Sequence, residues 1–312
     1  MKTILISGCA GFIGQNLLSN LISKYKIIGI DNFYSGSIES IERYKKNENF
    51  KFIEADITNM PEIKGEIDII YNLACPASPP IYQKDPLFTI NTSYLGTKNL
   101  LELAKNKSSI FIQASTSEVY GDPEVNPQPE EYNGNVNTTG LRSCYDEGKR
   151  IAETLCYEYR KIYDIKTRII RIFNTYGPGM EINDGRVISN FLVNIINKKE
   201  LIVYGDGKQT RSFCYIDDLI RGLISASKFD FDFPINLGNN NEISLNKLVE
   251  LLQKKYKDFK VRYSDPVEDD PKTRRPNIYK AKKFLKWEPK IDFEEGIEKT
   301  FNYFKNKIKN DK

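Results

Sequence analysis

The stretch Thr3–Gly14, with the sequence TILISGCAGFIG, decides the fold of this 312-residue chain. An apolar strand pattern leads into three glycines spaced as G-x-x-G-x-x-G, and an amphipathic helical pattern follows. Glycines at Gly8, Gly11 and Gly14 permit a tight turn and let the backbone approach a pyrophosphate at the start of a helix. Strand, glycine turn and helix in this order predict the first unit of a dinucleotide-binding fold.

Short β-rich runs alternate with amphipathic helical patterns through the first half of the chain. Most of these runs are apolar at consecutive positions, which is typical of strands buried on both faces. Helices that join parallel strands produce a doubly wound sheet, so we predict an α/β fold of Rossmann type with a smaller C-terminal lobe. The predicted strands are Thr3–Ser7, Ile27–Asp31, Lys51–Asp56, Ile67–Leu73, Ser109–Ser115, Thr167–Phe173 and Pro234–Gly238. The predicted helices are Phe12–Lys24, Leu87–Asn106, Cys144–Tyr163, Val187–Lys198, Ile216–Lys228, Leu245–Tyr256 and Phe293–Ile308.

A carboxylate closes the second predicted strand. Asp31 follows Gly14 by 17 residues, the position from which an acidic side chain takes the ribose hydroxyls of a dinucleotide. The same charge repels a 2′-phosphate, so the sequence predicts NAD rather than NADP. Asp56 and Ile57 end the third predicted strand, where the adenine would lie. The alternative is a βαβ unit that binds no nucleotide.

The chain contains no histidine, which excludes Ser–His and Cys–His catalysis, His-ligated metal sites and imidazole acid–base chemistry. Proton transfer therefore falls to Tyr, Lys, Cys, carboxylates or water, and we expect no metal. A net charge of +4 is too weak to indicate a nucleic-acid partner. No apolar run is long enough to predict a membrane span. Five scattered cysteines without a C-x-x-C pair favour reduced thiols and a cytoplasmic location.

A Tyr-x-x-x-Lys pair marks the candidate catalytic centre. Tyr145 and Lys149 fall in a helical pattern, and their i,i+4 spacing puts both side chains on one face. A free phenol has a pKa of about 10, and a nearby ammonium together with the positive charge of the nicotinamide would favour phenolate. The hydroxyl-rich run Ser115–Glu118 ends a buried strand, where open α/β sheets bind ligands. Chance alone explains many Tyr-x-x-x-Lys pairs, but the hydroxyl cluster and the nucleotide unit favour hydride chemistry at a carbonyl or alcohol.

Longer motifs give a more specific resemblance. The chain resembles the extended short-chain dehydrogenase/reductases that act on nucleotide sugars, and most closely the UDP-glucuronate decarboxylases, or UDP-xylose synthases. ACPASPP and STSE together are far more specific than a glycine motif. One difference is at the first turn, where the family usually shows TGGAGFIG and this chain has Cys9, which predicts a side chain beside the pyrophosphate path. The matching stretches are Asn72–Pro80, Ser115–Val125, Ser143–Leu155, Arg171–Met180, Asn183–Phe191, Tyr204–Leu219 and Glu268–Ile278.

The resemblance implies a role for each matching site residue. Thr116, Tyr145 and Lys149 match the catalytic hydroxyl, base and lysine, while Ser117 and Glu118 match the decarboxylase's pair beside the sugar. Arg274 is implied in proton delivery or carboxylate handling and in substrate binding. The other implied substrate-binding residues are Pro79, Asn174, Arg186, Tyr204 and Arg211. The implied NAD-binding residues are Gly8, Gly11, Phe12, Ile13, Gly14, Asp31, Asn32, Ser35, Gly36, Asp56, Ile57, Leu73, Ala74, Tyr145 and Lys149.

The implied activity is NAD-dependent decarboxylation of UDP-glucuronate to UDP-xylose through a 4-keto intermediate, a lyase reaction with hydride returned at the end. The alternatives are an oxidative decarboxylase that releases a UDP-4-keto-pentose and NADH, or a nucleotide-sugar 4,6-dehydratase or epimerase. Dehydratases carry TDE where this chain has Thr116-Ser117-Glu118. A neutral Ser117 avoids repelling a substrate carboxylate, whereas an Asp anion within about 4 Å would cost about 1–4 kcal/mol.

The implied organisation has two parts. Residues 1–173 and 213–238 would form the NAD-binding Rossmann domain, and residues 174–212 and 239–312 the nucleotide-sugar-binding lobe. The predicted helices Leu87–Asn106 and Cys144–Tyr163 carry more apolar residues than one sheet face needs. The family pairs these helices across a two-fold axis, so we expect a homodimer.

Overall fold

The computed structural model describes residues 1–257, 259–266 and 271–310, and a seven-stranded parallel sheet forms its centre. The segment 267–270 of the late loop and the final two residues lie outside the described residues. In chain order the strands are β1 (Thr3–Ser7), β2 (Lys26–Asp31), β3 (Phe50–Glu54), β4 (Ile69–Asn72), β5 (Ile110–Thr116), β6 (Thr167–Ile172), β7 (Thr175–Tyr176), β8 (Leu201–Tyr204), β9 (Thr210–Ser212), β10 (Cys214–Tyr215), β11 (Ile235–Leu237), β12 (Glu242–Ser244) and β13 (Val261–Ser264).

The strand order of the central sheet is β11-β6-β5-β4-β1-β2-β3, which confirms the predicted Rossmann-type fold. Leu5 of β1 is paired with Ile28 of β2 on one side and with Ile70 of β4 on the other. The chain order reverses between β1 and β4, and ligands bind at such a switch point, beyond the carboxyl ends of the strands. The glycine turn after β1 lies at this point.

The helices lie where the sequence predicts them, with shifted ends. One predicted helix, Leu87–Asn106, is instead two α-helices joined by a π-helical turn, Thr92–Gly96. A Cβ on Gly96 would lie 2.4 Å from Ile57 Cδ1, so this turn packs closely beneath the sheet edge. The helices are α1 (Phe12–Leu21), α2 (Glu39–Glu42), α3 (Pro79–Tyr82), α4 (Pro86–Asn91), α5 (Thr97–Lys107), α6 (Ser143–Tyr163), α7 (Val187–Ile196), α8 (Ile216–Ala226), α9 (Leu245–Lys255), α10 (Tyr279–Leu285) and α11 (Phe293–Asn310).

The two faces of the sheet are covered by separate apolar cores. Leu17 of α1 and Leu223 of α8 are fully buried in the larger core. Leu101 of α5 and Cys156 of α6 are fully buried in the other. Each fully buried Leu contributes about 1.5–3 kcal/mol to folding through the hydrophobic effect. This double layer fixes α1 and α6, the helices that carry the glycine turn and the Tyr145–Lys149 pair.

Small two-stranded sheets outside the central one pair β7 with β10, β9 with β12 and β8 with β13. The late loop is tied to β9 because Arg274 O accepts the backbone N–H of Ser212 at 3.1 Å and its hydroxyl at 2.7 Å. Gln128 Oε1 accepts the backbone N–H of Arg275 at 2.7 Å. These bonds hold the loop against the carboxyl edge of the central sheet.

Within the described ranges, none of the helices combines the length and the apolar content that crossing a membrane requires. All five cysteines are free thiols, and four of them are buried. The same described ranges contain no group of three or more Cys, Asp or Glu side chains that could hold a metal ion.

Candidate active site

The glycine turn between β1 and α1 has the shape of a phosphate cradle. Gly8 has φ +72°, and a Cβ there would lie 2.9 Å from the backbone N of Ala74. A Cβ on Gly14 would lie 2.0 Å from Gly8 O, so only glycine fits where α1 passes over the turn. Gly11 precedes the helix and has no side chain to cap it. The first N–H groups of α1 can therefore receive a pyrophosphate, as NAD requires.

The side chain of Cys9 does not lie beside the pyrophosphate path, so that expectation is wrong. Cys9 is fully buried, and its Sγ lies 2.7 Å from where a Cβ on Gly29 would be. Phe50 borders the same point. The thiol points into the core beneath the sheet, because the residue after Gly8 turns its side chain away from the cradle. The departure from the family's glycine therefore leaves the cradle open.

A cavity of about 540 Å³ extends from the cradle along the carboxyl ends of β1, β2 and β4. It is an elongated cleft between the glycine turn and the segment around Asp184. All of the predicted NAD-binding residues except the Tyr145–Lys149 pair line it, namely Gly8, Gly11, Phe12, Ile13, Gly14, Asp31, Asn32, Ser35, Gly36, Asp56, Ile57, Leu73 and Ala74.

Asp31 both borders this cavity and braces the turn. Its Oδ2 accepts the backbone N–H of Ala10 at 2.9 Å, and its Oδ1 accepts that of Phe33 at 2.9 Å. Burial raises the pKa of Asp31 above its usual value, and these two bonds oppose the rise. Asp56 Oδ2 accepts from Asn32 Nδ2 at 2.9 Å, which links the ends of β2 and β3. The carboxylates thus lie where the ribose and adenine of a dinucleotide would be held.

A second cavity, of about 630 Å³, adjoins the first. The two share Ile13, Leu73, Cys75, Ala77 and Arg186, so a ligand in one can reach a ligand in the other. The structure brings all of the predicted catalytic and substrate-binding residues to the wall of this second cavity: Pro79, Thr116, Ser117, Glu118, Tyr145, Lys149, Asn174, Arg186, Tyr204, Arg211 and Arg274.

Tyr145 and Lys149 lie on one face of α6, as their spacing predicts. Lys149 Nζ donates to Ala114 O at 2.9 Å and lies 5.8 Å from the centre of the Tyr145 ring. Burial raises the pKa of the Tyr145 phenol, and a hydrogen bond with the Thr116 hydroxyl opposes the rise. The Lys149 ammonium is bonded to a carbonyl, and the expected phenolate relies on the positive charge of a bound nicotinamide as well as on this ammonium. Without a further positive charge the phenol stays protonated.

Glu118 lies between two guanidinium groups. Its Oε2 accepts from Arg142 Nη2 at 2.7 Å and from Arg274 Nη2 at 2.8 Å. Arg274 Nη1 also donates to Asn174 Oδ1 at 3.2 Å. Burial would raise the pKa of Glu118, but Arg274 and then Arg142 outweigh it and hold that pKa below its ordinary range. The site therefore presents an ionised carboxylate, paired with two guanidiniums through Oε2, beside the hydroxyls of Thr116 and Ser117.

The remaining predicted binding residues lie farther along the same cavity. Arg186 binds Asp184 through Nε at 2.5 Å and Nη2 at 2.6 Å, and its guanidinium lies 5.5 Å from the centre of the Phe12 ring. Arg211 is buried and donates to Thr210 O at 2.8 Å. Tyr204, at 46% exposure, forms the open end. Two arginines and an accessible aromatic ring suit a diphosphate and a planar base.

Two residues that line the second cavity, here named the sugar cavity, were not predicted from the sequence. They are Tyr82 and Arg142. Tyr82 follows the Pro-Pro motif by two residues, and its ring stacks on Tyr145 with 5.1 Å between centroids. Arg142 precedes Tyr145 by three residues, so an i,i+3 search backwards along the catalytic helix face would have found it. Tyr82 carried no comparable signal, because its position depends on the short helix α3.

Comparison with known proteins agrees with this geometry. The family model described as GDP-mannose 4,6 dehydratase matches residues 5–300. UDP-glucuronic acid decarboxylase 1 of Xenopus tropicalis is 45% identical over 98% of this chain and 73% of its own length. UDP-glucuronic acid decarboxylase 6 of Arabidopsis thaliana is 46% identical over 94% of this chain and 86% of its own.

Among solved structures, UDP-glucuronic acid 4-epimerase from Bacillus cereus, in complex with UDP-glucuronic acid and NAD, superposes with a TM-score of 0.89. It is 30% identical and covers 97% of this chain and 99% of its own. Together with the glycine cradle, the acidic end of β2 and the Tyr145–Lys149 face, these matches settle the family. The chain belongs to the GDP-mannose 4,6 dehydratase family of extended short-chain dehydrogenase/reductases and, within it, to the UDP-glucuronic acid decarboxylases.

Proposed function

We propose that this chain converts UDP-glucuronate to UDP-xylose and carbon dioxide through a 4-keto intermediate, with the hydride returned before product leaves. It is an NAD-dependent UDP-glucuronate decarboxylase, a carboxy-lyase of UDP-xylose biosynthesis. One observation carries the mechanism: the doubly paired Glu118 lies in the same cavity as Tyr145 and Thr116. Tyr145 and Thr116 can thus act on the 4-position of the sugar, and the charges around Glu118 can act on its carboxylate. Both groups lie next to the cofactor cleft.

In the first step, Tyr145 takes the proton of the sugar 4-hydroxyl, and Thr116 donates a hydrogen bond to the same oxygen. The glycine turn and Asp31 would hold NAD, which would supply a hydride acceptor for the 4-position, a hydride donor for the return step and a positive charge close to the phenol. The chain's own groups keep Tyr145 protonated, so the phenol becomes a base only in the loaded site. Lys149, bonded to Ala114 O, holds the carboxyl end of β5 against the helix that carries Tyr145.

The second step is loss of carbon dioxide. The sugar acid is β to the new ketone, and the electrons of the breaking C–C bond pass into an enolate whose oxygen Tyr145 and Thr116 stabilise. Arg274 can hold the substrate carboxylate until it leaves as carbon dioxide, and a water bonded to Glu118 can protonate the 5-position. The hydroxide left from that water takes up the one solvent proton that the overall reaction consumes. Ser117 adds a neutral hydroxyl beside them. Proton return from Tyr145 to the 4-oxygen completes the cycle.

The UDP group is proposed to bind through Asn174, Arg186, Tyr204 and Arg211, with Pro79 shaping the wall near the sugar. On this assignment, residues 1–173 and 213–238 form the NAD-binding domain. Residues 174–212 and 239–312 form the nucleotide-sugar lobe. The strands of the central sheet all come from the first set, which supports this division.

We also propose a homodimer in the cytoplasm. Apolar side chains are exposed along α4, the π-turn and α6, with Leu87 at 72% and Ile162 at 64% exposure. Ile151, at 39% exposure, lies three helical turns before Ile162 and continues the stripe on α6. Two copies of this face would bury it as a four-helix contact. The five free thiols support a reducing compartment.

The direct test is to incubate the purified protein with UDP-glucuronate and NAD and to identify the product by mass and NMR. UDP-xylose without net nicotinamide absorbance is the expected result. Accumulating NADH with a UDP-4-keto-pentose would instead support the oxidative decarboxylase. In a parallel incubation with UDP-glucose, a 4-keto-6-deoxy sugar would indicate a dehydratase. Conversion of UDP-glucuronate to UDP-galacturonate would indicate an epimerase. Binding of NAD without any turnover would indicate a non-catalytic NAD-binding protein.

A further inference from the structure

The first turn of α6 carries a buried carboxylate that the mechanism above does not use. Asp146 is only 6% exposed and lies one helical turn after Arg142. Its Oδ2 is 3.9 Å from Arg142 Nε, and among the described residues its buried Oδ1 has no hydrogen-bond partner. A buried carboxylate oxygen without a partner makes the charged form unfavourable. Asp146 therefore lies where its own charge is only partly compensated.

Asp146 belongs to a cluster of charges that borders the sugar cavity. The cluster consists of Asp146, Arg142, Glu118 and Arg274, joined through the two guanidinium bonds to Glu118 Oε2. Protonation of Asp146 makes the summed charge of these four side chains one unit more positive. Arg211 adds a further positive charge that acts on Glu118. The glucuronate carboxylate is a further negative charge beside this cluster, so the protonated form is the complementary one.

Among the described residues, the titratable and charged groups that act on Asp146 come from four parts of the chain. Glu118 lies on the turn after β5, Arg274 on the late loop, Tyr82 on α3, and Arg142, Cys144, Tyr145 and Glu147 at the start of α6. Burial and then Glu118 raise the pKa of Asp146 to about 7, against the opposing charges of Arg142 and Arg274. Both protonation states are thus populated near neutral pH.

We propose that Asp146 is a positioning residue that holds Arg142 in place beside Glu118 and, through its own protonation, sets the charge that the cluster presents to the substrate carboxylate. This proposal rests on the proposed function, because it assigns the cluster to a sugar acid. Binding of UDP-glucuronate takes up a proton on Asp146. Binding of UDP-xylose, which lacks the carboxylate, does not.

Calorimetry on the NAD-loaded Tyr145→Phe protein measures this uptake without turnover. UDP-glucuronate is titrated near pH 7 in two buffers of different ionisation enthalpy, and UDP-xylose is titrated in parallel. We expect an uptake of about half a proton for UDP-glucuronate and none for UDP-xylose. Equal uptake for the two ligands, or no uptake for either, overturns the proposal.

A matched pair of variants locates the proton. For the wild type, we expect the KM for UDP-glucuronate to rise several-fold between about pH 6 and about pH 8.5, by at most tenfold per pH unit. Asp146→Asn is neutral at every pH, so its KM stays near the wild-type value measured at low pH. Glu298→Gln removes an exposed carboxylate on α11 that is paired with Lys255, and it keeps the wild-type slope.

A wild-type slope in Asp146→Asn assigns the proton to another group and overturns the proposal. If Asp146→Asn does not fold, Asp146→Ser is measured in the same way, and the calorimetry on the Tyr145→Phe protein stands on its own. The two levels of inference fail differently. If the wild type makes no UDP-xylose, the proposed function is wrong. If the wild type makes UDP-xylose but binds UDP-glucuronate without taking up a proton, only the role assigned to Asp146 is wrong.

Discussion

The rings of Tyr82 and Tyr145 are stacked, with 5.1 Å between their centroids and 5° between their planes. Tyr82 lines the sugar cavity, and its buried hydroxyl has no hydrogen-bond partner among the described residues. A buried hydroxyl without a hydrogen-bond partner lowers the free energy of unfolding by about 1–3 kcal/mol, so the Tyr82 hydroxyl does not serve the stability of the fold. The stack fixes the plane of the Tyr145 phenol, and we expect the Tyr82 hydroxyl to donate a hydrogen bond to the sugar.

Tyr82→Phe should therefore separate binding from stability. The ring and its stack remain, so we expect kcat to change by less than about threefold and the free energy of unfolding to stay equal or rise by about 1 kcal/mol. The KM for UDP-glucuronate should rise, since a donor to the sugar is lost. Tyr82→Ala, which also removes the stack, should lower kcat and cost about 3–5 kcal/mol of stability. Steady-state kinetics with chemical denaturation distinguishes these outcomes. An unchanged KM in Tyr82→Phe would assign the hydroxyl no role at the sugar.

Tyr145→Phe should abolish turnover, because it removes the group that carries the proton of the 4-hydroxyl. Tyr145 lines the sugar cavity, away from the glycine cradle, so NAD affinity should change little. Product analysis by NMR and NAD titration by calorimetry measure the two properties separately. Wild-type rates of UDP-xylose formation by the variant would remove Tyr145 from its assigned role.

Asp31 should make the site select NAD over NADP. Its carboxylate lies in the cofactor cleft with both oxygens bonded to backbone N–H groups, so it cannot swing away from a 2′-phosphate. Calorimetry should show much tighter binding of NAD. Asp31→Asn should narrow the difference in affinity between NAD and NADP. It should also lower the free energy of unfolding by about 1–3 kcal/mol, because the amide keeps one acceptor oxygen and sets an NH2 donor against the backbone N–H of either Ala10 or Phe33. Equal affinities of the wild type for the two dinucleotides would contradict this assignment.

The sequence predicts the central sheet well, because buried parallel strands such as Ile69–Asn72 are continuous apolar runs. It does not predict β7 and β10, since two residues have no periodicity to detect. The π-turn at Thr92–Gly96 depends on contact with Ile57, which is remote in sequence. The environment of Asp146 likewise depends on residues that are remote in sequence, such as Arg274.

Site residues that belong to one local motif can be predicted from the sequence. Pairs of site residues that meet only through tertiary contacts cannot. The Tyr145–Lys149 face follows from helical spacing alone. The bond between Arg274 and Glu118 spans 156 residues of sequence, and no spacing rule anticipates it. The family resemblance implies that both residues belong to the site. The hydrogen bond from the Ser212 hydroxyl to Arg274 O holds the late loop so that the Arg274 guanidinium reaches the Glu118 carboxylate.

The exposed apolar face of α4 and α6 should make the protein a dimer at micromolar concentration, as measured by light scattering. Ile151→Glu places a charge within the α6 stripe, where a partner would bury it, so this variant should shift the protein toward monomer. Tyr279→Glu, at a 62% exposed position on α10, is the matched control and should leave the mass unchanged. A wild type that scatters as a monomer throughout this range would count against the dimer.

Position 117 should sense the charge of the substrate. Ser117 is buried on the wall of the sugar cavity, beside the carboxylate of Glu118. Ser117→Asp adds an anion near the glucuronate carboxylate, at a cost of about 1–4 kcal/mol. The KM for UDP-glucuronate should therefore rise about tenfold or more, while inhibition by the neutral sugar of UDP-xylose changes much less. Part of the repulsion is relieved as carbon dioxide departs, so kcat should fall less than the affinity.

Arg274→Ala is the contrasting variant for this experiment. It leaves Glu118 paired with Arg142 at 2.7 Å, so the fold of the site is retained while one cation is lost beside the reacting carbon. We expect its main effect on kcat, in contrast to the KM effect of Ser117→Asp. Both variants are measured with both ligands under identical conditions. If Ser117→Asp weakens UDP-glucuronate and UDP-xylose equally, the added charge acts on the shared UDP group or on folding, and position 117 does not read the carboxylate.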